Sequence, residues 1–414
     1  MIRLRLLLLA PGCDRNDVGE SWVGHQWVRR LGERHDVTLL TYFKHGFEPP
    51  SQQLEHVRVI EWPDIPLVGR AERFNSLFKP GYMVFYLRCR RWIRDAIHKG
   101  EYFDLAHQVA PVAMRYPCPF AGSGIPYVIG PVGGALPDPE GFESESDNEP
   151  WYVSLRGLDR WRLRFDPLMR RTFDDATCVI GIGPYVAETL AARRVRRFET
   201  MSETGIAQLP PPVDRRDREE PVRLLHVGRL VRTKGVRDAI RAVAKLRATR
   251  AVALDVVGDG VDRGPCERLA EELGVTDQVT FHGRVPRERV DEFYRAADIF
   301  LFPSYREPGG NAVYEAMSFG LPLVVADCGG PAEAVDQTCG FKVRPRDPDQ
   351  FATAIADALE GLVDDVDLRI RMGEAARARV GQIALWDQKV LQLEALYADI
   401  LESNATRQTS RNST

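Results

Sequence analysis

Short apolar runs alternate along this chain with longer stretches in which apolar residues recur every three or four positions. Apolar runs of strand length bounded by Gly or Pro read as buried strands, and the longer amphipathic stretches read as helices. In the first half this predicts strands at 4–10, 37–42, 57–62, 104–109, 127–129 and 177–182. Helices are expected at 20–31, 82–98, 151–171 and 185–194, an irregular segment at 62–80 and an acidic mobile loop at 143–149. The second half repeats the alternation more cleanly, with strands at 222–227, 252–257, 279–282, 298–302, 322–326 and 341–343. Helices are expected between them at 235–248, 265–273, 287–297 and 312–319, and after them at 348–362. A long helical region at 368–401 follows, and the polar tail beyond Glu402 is expected to be disordered. Strands alternating with helices imply a parallel sheet covered on both faces, with ligands at the carboxyl ends of the strands.

The run Pro210-Pro211-Pro212 followed by DRRDREE interrupts this alternation and reads as a stiff, solvated linker. It divides the chain into an α/β domain at 1–208, a linker at 209–221 and a second α/β domain at 222–380. A helix at 381–402 is expected to pack back on the first domain, and 403–414 to form a flexible tail. A length of 414 residues agrees with two domains of about 200 residues each. The expected architecture is therefore two doubly wound, Rossmann-like domains facing across a cleft.

Composition narrows the function classes. Hydrophobic residues at 44% and charged residues at 28% are those of a globular protein with sizeable cores. A net charge of −3 argues against a nucleic-acid partner, which would call for a basic excess. Seven scattered cysteines without a CxxC pair read as reduced thiols of a cytoplasmic enzyme. The opening MIRLRLLLLAPG is too short an apolar run for a leader and fits a first strand better. No apolar run reaches the ~18 residues of a membrane span, so membrane contact would be peripheral. Stretch 82–98 is where such contact would fall. Tyr82, Phe85, Tyr86, Cys89, Ile93 and Ile97 share one helical face, with Arg88, Arg91, Arg94 and Lys99 mostly elsewhere. Two readings stay open: a core-facing helix with a solvated back, or a basic amphipathic surface for anionic lipid.

The chemistry gathers at the strand ends of the second half. Val227 is followed by Gly228-Arg229, with Lys234 at the start of the next helix. Val257 is followed by Gly258-Asp259-Gly260, His282 by Gly283-Arg284, and Ala326 by Asp327-Cys328-Gly329-Gly330. Phe302 is followed by PSYREPGGNAVYE, in which Glu307 and Glu315 flank a helix start at Gly309, Gly310 and Asn311. Bare N–H groups at a helix start favour an anion, and glycines let it come close. Arg229 and Lys234 are fixed cations suited to a diphosphate, and the carboxylates are suited to hydroxyl groups. Singly, each also fits a solvated surface residue; together they mark one ligand-binding edge. Gly181-x-Gly183 lacks a third glycine and reads as a strand-end turn rather than a dinucleotide fingerprint. Asp347-Pro-Asp349 and Asp365-Val-Asp367 have a metal-binding spacing, but each opens a helix, where carboxylates cap, so no metal is expected.

The segments HVGRLVRTKG, VVGDG, FHGRV and PSYREPGGNAVYEAMSFGLPLVVADCGG together resemble the nucleotide-sugar domain of retaining GT-B glycosyltransferases of the family 4 type. The GPVGG turn at 130–134 and SETGI at 202–206 resemble a bacterial subset of that family. The resemblance implies a GT-B fold and a nucleoside-diphosphate-sugar as co-substrate, with no other cofactor. The acceptor would be a glycan, a lipid-linked sugar or a small molecule. By the same resemblance Arg229 and Lys234 would hold the diphosphate and offset leaving-group charge, Glu315 the ribose hydroxyls and Glu307 the donor sugar. Gly228, Gly258, Gly260 and Arg284 would line the nucleotide. Gly19 would face the diphosphate from the first domain, although Asp17-Val18-Gly19-Glu20 lacks the family's usual paired glycines, and Gly133 and Gly134 would lie on the acceptor side. His107, in DLAHQV, matches a D-x-x-H-x-H pattern whose second histidine is Val109 here. It reads either as a sugar or acceptor contact or as a structural residue at a strand end. Two rival functions fit the same site: a sugar-nucleotide epimerase or hydrolase, and a non-catalytic nucleotide-sugar-binding protein.

Overall fold

The computed structural model describes residues 3–17, 19–43, 46–64, 81–134, 136, 139, 141–142, 157–216, 218 and 220–412. The acidic loop at 143–149, the first part of the helix expected at 151–171 and most of the irregular segment at 62–80 lie outside them. The chain forms two compact units. One comprises Met1–Ala135, Ser154–Glu203 and Lys389–Thr414; the other comprises Leu136–Val153 and Thr204–Gln388.

The first unit holds seven parallel strands: β1 (Arg5–Leu9), β2 (Asp36–Phe43), β3 (Val57–Pro63), β4 (Leu105–Gln108), β5 (Tyr127–Val132), β6 (Cys178–Gly181) and β7 (Phe198–Thr200). Their order is β3-β2-β1-β4-β5-β6-β7, so the direction of winding reverses between β1 and β4. Apolar runs such as Leu6–Leu9 are wholly buried because helices cover both sheet faces. Right-handed crossovers put Gly81–His98, Gly157–Phe165 and Pro167–Asp174 on one face and Glu20–Arg34 on the other. One core accordingly joins Phe85, Tyr86, Leu163, Met169 and Phe173 to Leu7, Ile129 and Val179.

Several expectations are corrected here. The helix at 151–171 is two helices within its described part, broken at Asp166, whose side chain caps the second by accepting from the Leu168 N–H at 2.9 Å. The helix at 185–194 ends at Thr189, and β7 was not anticipated. The long terminal region is likewise two helices, Val366–Ile383 and Trp386–Asn412. The second continues through the segment expected to be a disordered tail, having no Gly or Pro to stop it. From Lys389 onward it belongs to the first unit, where Glu394 takes Arg34 bidentately at 2.6 and 2.8 Å.

The second unit holds six parallel strands: β8 (Val222–Val227), β9 (Val252–Val257), β10 (Val279–Gly283), β11 (Ile299–Phe302), β12 (Leu323–Ala326) and β13 (Gly340–Val343). Their order, β10-β9-β8-β11-β12-β13, reverses between β8 and β11. Helices Val236–Leu246, Arg263–Glu272 and Pro348–Asp364 share one core, and Arg287–Ala296, Asn311–Ser318 and Val366–Ile383 the other. Phe142, in a segment expected to belong to the first domain, packs in the former core against Tyr305 and Phe351. The linker is less solvated than its charges suggested. Arg215 turns inward and donates to the carbonyls of Tyr294, Ala297 and Phe319 at 2.9, 2.8 and 3.0 Å. It thereby satisfies carbonyls left over at two helix ends. Asp347 and Asp365 do cap their helices, accepting from Gln350 N–H at 2.9 Å and Leu368 N–H at 2.8 Å.

Candidate functional site

The winding reversal of the second unit leaves the loops after β8 and β11 side by side, and these carry the residues singled out above. Backbone bonds stitch them together. Thr233 carbonyl accepts from Tyr305 N–H at 3.2 Å and from Ser304 hydroxyl at 3.1 Å. Gly235 approaches the Pro303 carbonyl so closely, at φ 74°, that a Cβ there would overlap it. The loop after β9 joins from the other side, its Asp259 carbonyl accepting from Leu230 N–H at 3.0 Å. This places Gly228, Gly258 and Gly260 along one edge. Arg229 and Arg284 both extend into solvent there.

Lys234 was expected to open a helix. It sits instead in a short 3-10 turn, Arg232–Lys234, and the helix begins at Val236. That turn aims the ammonium at the Glu307 carboxylate, with which it forms an ion pair; both side chains are 15% exposed. The ammonium also lies 5.4 Å above the Phe302 ring. Burial, and secondarily Arg229, lower the Lys234 pKa to about 8, while an ionised Glu307 beside it pulls the other way. Arg232, two residues earlier, has a different task. It is buried in a bidentate pair with Asp238 at 2.6 and 3.1 Å and lies over the rings of Phe142 and Tyr305, 5.3 and 5.4 Å from their centroids. It fixes the turn that presents Lys234.

The Glu307 loop is held by the glycine pair after β12. Gly330 N–H donates to the Glu307 carbonyl at 3.0 Å, and a Cβ on Gly330 would overlap the Gly309 carbonyl. Gly309 and Gly310 are buried and Asn311 exposed at the start of helix Asn311–Ser318. Within that helix each Glu315 oxygen has one donor: Arg287 at 2.7 Å and the Tyr294 hydroxyl at 3.1 Å. Tyr294 is buried, and burial together with Glu315 holds its hydroxyl protonated well above the usual range. Glu315 is therefore a pre-aimed carboxylate with acceptor capacity to spare.

Sequence reasoning missed Arg287, Tyr294 and His226. His226 is fully buried at the end of β8 and stacks on Phe302 at 5.4 Å; burial lowers its pKa to about 4. Its polarity within the apolar run RLLHV was the one available signal.

In the first unit His107 does not stand as a sugar or acceptor contact. It is fully buried in β4, with Nδ1 at 2.5 Å from the Tyr397 hydroxyl and Nε2 at 2.6 Å from the Gly130 carbonyl. Burial lowers its pKa to about 4. Both ring nitrogens are engaged inside the core, so the structural alternative holds. Gly133 is also occupied internally, its N–H donating to the Val112 carbonyl at 2.8 Å. Gly134 N–H donates to the Tyr185 hydroxyl at 3.3 Å. Gly19 precedes helix Glu20–Arg34 at φ 66° with its Cα side open. Among the described residues no group of three or more His, Cys, Asp or Glu could hold a metal ion.

Comparisons with known proteins bear on both units. Residues 213–379 match the family model "Glycosyl transferases group 1" and residues 19–201 the model "Glycosyl transferase 4-like domain". Glycogen synthase of Mycobacterium tuberculosis is 34% identical over 370 residues, covering 84% of this chain and 82% of that protein. D-inositol 3-phosphate glycosyltransferase of Corynebacterium jeikeium is 35% identical over 240 residues, 55% of this chain and 54% of that one. This chain thus spans only about half the length of that relative. Among solved structures, sucrose-phosphate synthase from Thermosynechococcus elongatus matches with a TM-score of 0.65 and 21% identity over 97% of this chain and all of that one. Anabaena HepE in complex with UDP and glucose matches with a TM-score of 0.57 and 17% identity over 99% of this chain and 100% of that one. At these identities the structural likeness speaks to the fold alone.

Proposed function

The chain belongs to the family 4 glycosyltransferases of the GT-B fold, and we propose that it moves a sugar from a nucleoside-diphosphate donor to a hydroxyl-bearing acceptor. The transfer would retain anomeric configuration and use neither a metal ion nor a further cofactor. The observation that carries this reading is the Lys234–Glu307 pair at the winding reversal, with Glu315 on the helix that follows the Glu307 loop and pre-aimed by Arg287 and Tyr294. Lys234 and Arg229 receive the diphosphate, helped by the helix start at Gly309, Gly310 and Asn311. Glu315 accepts from the ribose hydroxyls. Glu307 holds the donor sugar and steadies positive charge near its anomeric carbon.

As the bond between that carbon and the phosphate oxygen breaks, Lys234 stabilises the negative charge growing on the oxygen. The acceptor oxygen bonds to the anomeric carbon from the same face, and its proton passes to the departing phosphate. This route asks for no protein base, in keeping with a His107 that is confined to the core. The names of the relatives point to differing acceptors, so a glycan, a lipid-linked sugar and a small molecule all belong in the test. A reducing compartment suits the seven free cysteines.

The test is a panel of nucleotide sugars, starting with UDP-sugars, incubated with the full chain and read as donor hydrolysis, then as transfer to candidate acceptors. Slow hydrolysis of one donor, accelerated by an acceptor and abolished by Lys234→Ala, is expected. Calorimetry showing no binding of any nucleoside diphosphate would overturn the reading. Donor turnover indifferent to every acceptor would favour an epimerase or hydrolase.

A further inference from the structure

A second surface of the first unit is not used by the proposed chemistry. Helix Gly81–His98 buries Tyr82, Phe85, Tyr86, Cys89, Ile93 and Ala96. Its outer side carries Met83, Leu87, Arg91, Arg94 and Ile97, spaced three or four residues apart and therefore in one stripe. Leu87 is 61% exposed. Helices Gly157–Phe165 and Pro167–Asp174 do the same, with Trp161, Phe165 and Leu168 outward at the same spacing. Trp161 is 58% and Phe165 55% exposed, and the two rings lie 5.7 Å apart.

These helices pack on the same face of the sheet, since inward residues from all of them share one core with Leu7, Ile129 and Val179. Their outer sides consequently look the same way. Among the described residues, every exposed Trp, Tyr or Phe lies in this unit; the exposed large apolar residues of the other are Val261, Leu273 and Val366. The charge on this face is basic in a chain whose net charge is −3. Of the acids on these helices, Asp95 pairs with Arg94 at 3.9 Å, Asp159 with Arg115 at 3.2 Å, Asp166 with Arg162 at 3.1 Å and Asp174 with Arg193 at 3.9 Å. Arg91, Arg94, Arg164, Arg170 and Arg171 remain exposed. Beside the first helix a groove of about 430 Å³ is lined by Leu87, Arg90, Arg91, Arg94, Ile97 and Ser123.

We propose that this face docks the protein on an anionic lipid surface, the arginines meeting phosphate headgroups while Leu87, Ile97, Trp161 and Phe165 enter the boundary beneath them. A lipid interface offers negative charge and apolar depth at once, which an acidic peptide or a nucleic acid does not. No described helix is long and apolar enough to cross a membrane. The inference is independent of the sugar-transfer reading, because binding is measured without turnover.

The test is flotation of the full chain with vesicles of phosphatidylcholine alone and with phosphatidylglycerol added, at physiological salt. Binding to the anionic vesicles only is expected. Leu87→Glu with Ile97→Glu, and separately Trp161→Ala with Phe165→Ala, should each lower the bound fraction at least ~10-fold, as should Arg91→Glu with Arg94→Glu. All these side chains are exposed, so an unchanged circular-dichroism melt should accompany each variant. Failure of the wild type to float with anionic vesicles would overturn the proposal. So would full binding by both apolar variants, or equal retention of wild type and apolar variants on immobilised polyglutamate, which would mark a soluble acidic partner.

Discussion

Replacing Lys234 by alanine and by arginine tests the proposed donor site most directly, because Lys234 is a buried cation there whose pKa is lowered to about 8. Its side chain is 15% exposed. An ammonium ~4 Å from a phosphate oxygen at an effective dielectric of ~20 contributes ~4 kcal/mol. Part of this is already taken up by Glu307 before the donor arrives, so the net loss in Lys234→Ala is expected at ~3 kcal/mol, about 10²-fold in kcat. The pH profile gives an independent reading. The Lys234 pKa is lowered from 10.5 to about 8, by burial first and by Arg229 second. The competent form is the protonated one. The donor kcat/KM, which reports the free enzyme, should therefore be level below about pH 8 and fall tenfold per pH unit above it. Lys234→Arg stays charged throughout and should lose that descending limb, at a lower plateau because a planar fork replaces a compact ammonium. The assay is initial-rate donor hydrolysis from pH 6 to about 10. A limb that persists near pH 8 in Lys234→Arg, or near-normal turnover in Lys234→Ala, would refute the assignment.

Glu315→Ala should raise the donor KM by ~10- to 100-fold while kcat stays within ~3-fold, as expected for loss of hydrogen bonds to a charged group; steady-state kinetics separate the two. Tyr294→Phe removes the 3.1 Å bond that aims one Glu315 oxygen, along with a 3.4 Å bond to the Ala312 carbonyl, and should reproduce a fraction of that KM rise. Gly330→Ala sets a Cβ against the Gly309 carbonyl, so both the melting temperature and donor affinity in calorimetry should fall together. His107 and His226 are buried as neutral rings with pKa lowered to about 4. Between the unfolded value near 6.5 and about 4 the unfolded chain binds more protons than the folded one, so stability falls with falling pH there. Each ring contributes up to ~3 kcal/mol of that loss, and His226→Gln should flatten the dependence of urea-unfolding free energy on pH across that window.

Four strands of the second unit were legible because an apolar-rich run ends at a glycine or proline, as in LLHVG, LDVVG and IFLFP. Some elements, helix Pro50–Gln53 among them, could not be read for want of length. Strand β7 has three residues and helix Gly329–Ala334 six, too few for either period to show. The helix at 386–412 was cut short because its polar end looked like a tail, although nothing in it breaks a helix. The site residues divide in the same way. Glycines at strand ends marked one edge of the sheet, and the juxtaposition of β8 with β11 brings the loops of Lys234 and Glu307 together along it. Arg287 and Tyr294 could not be read, because their partner Glu315 lies 28 and 21 residues away and only the fold makes them neighbours. His107 was ambiguous for a physical reason: a histidine in an apolar strand fits a ligand or a buried hydrogen-bonding group equally well. Tyr397, 290 residues further on, decides between them.

The neighbours of Lys234 also explain why the site can be charged yet stable without ligand. A lone ammonium at 15% exposure would lose hydration with nothing in return, and its lowered pKa records that penalty. Glu307 offsets it in the resting state, and Arg232 with Asp238 holds the turn by a pair that needs no ligand. When an anion arrives, Lys234 can exchange or share its carboxylate partner without a change of backbone, since the turn is fixed from below by Gly235 against Pro303 and by Thr233 against Ser304 and Tyr305. The exchange leaves Glu307 free to turn to hydroxyl groups beside the anion. On this argument Glu307→Gln and Lys234→Ala are not additive. The first removes the resting partner and should tighten binding of a bare nucleoside diphosphate while slowing sugar transfer. The second should weaken both. Calorimetry of diphosphate binding in the two single variants and the double variant measures that coupling, and strict additivity would show that the pair plays no part in donor capture.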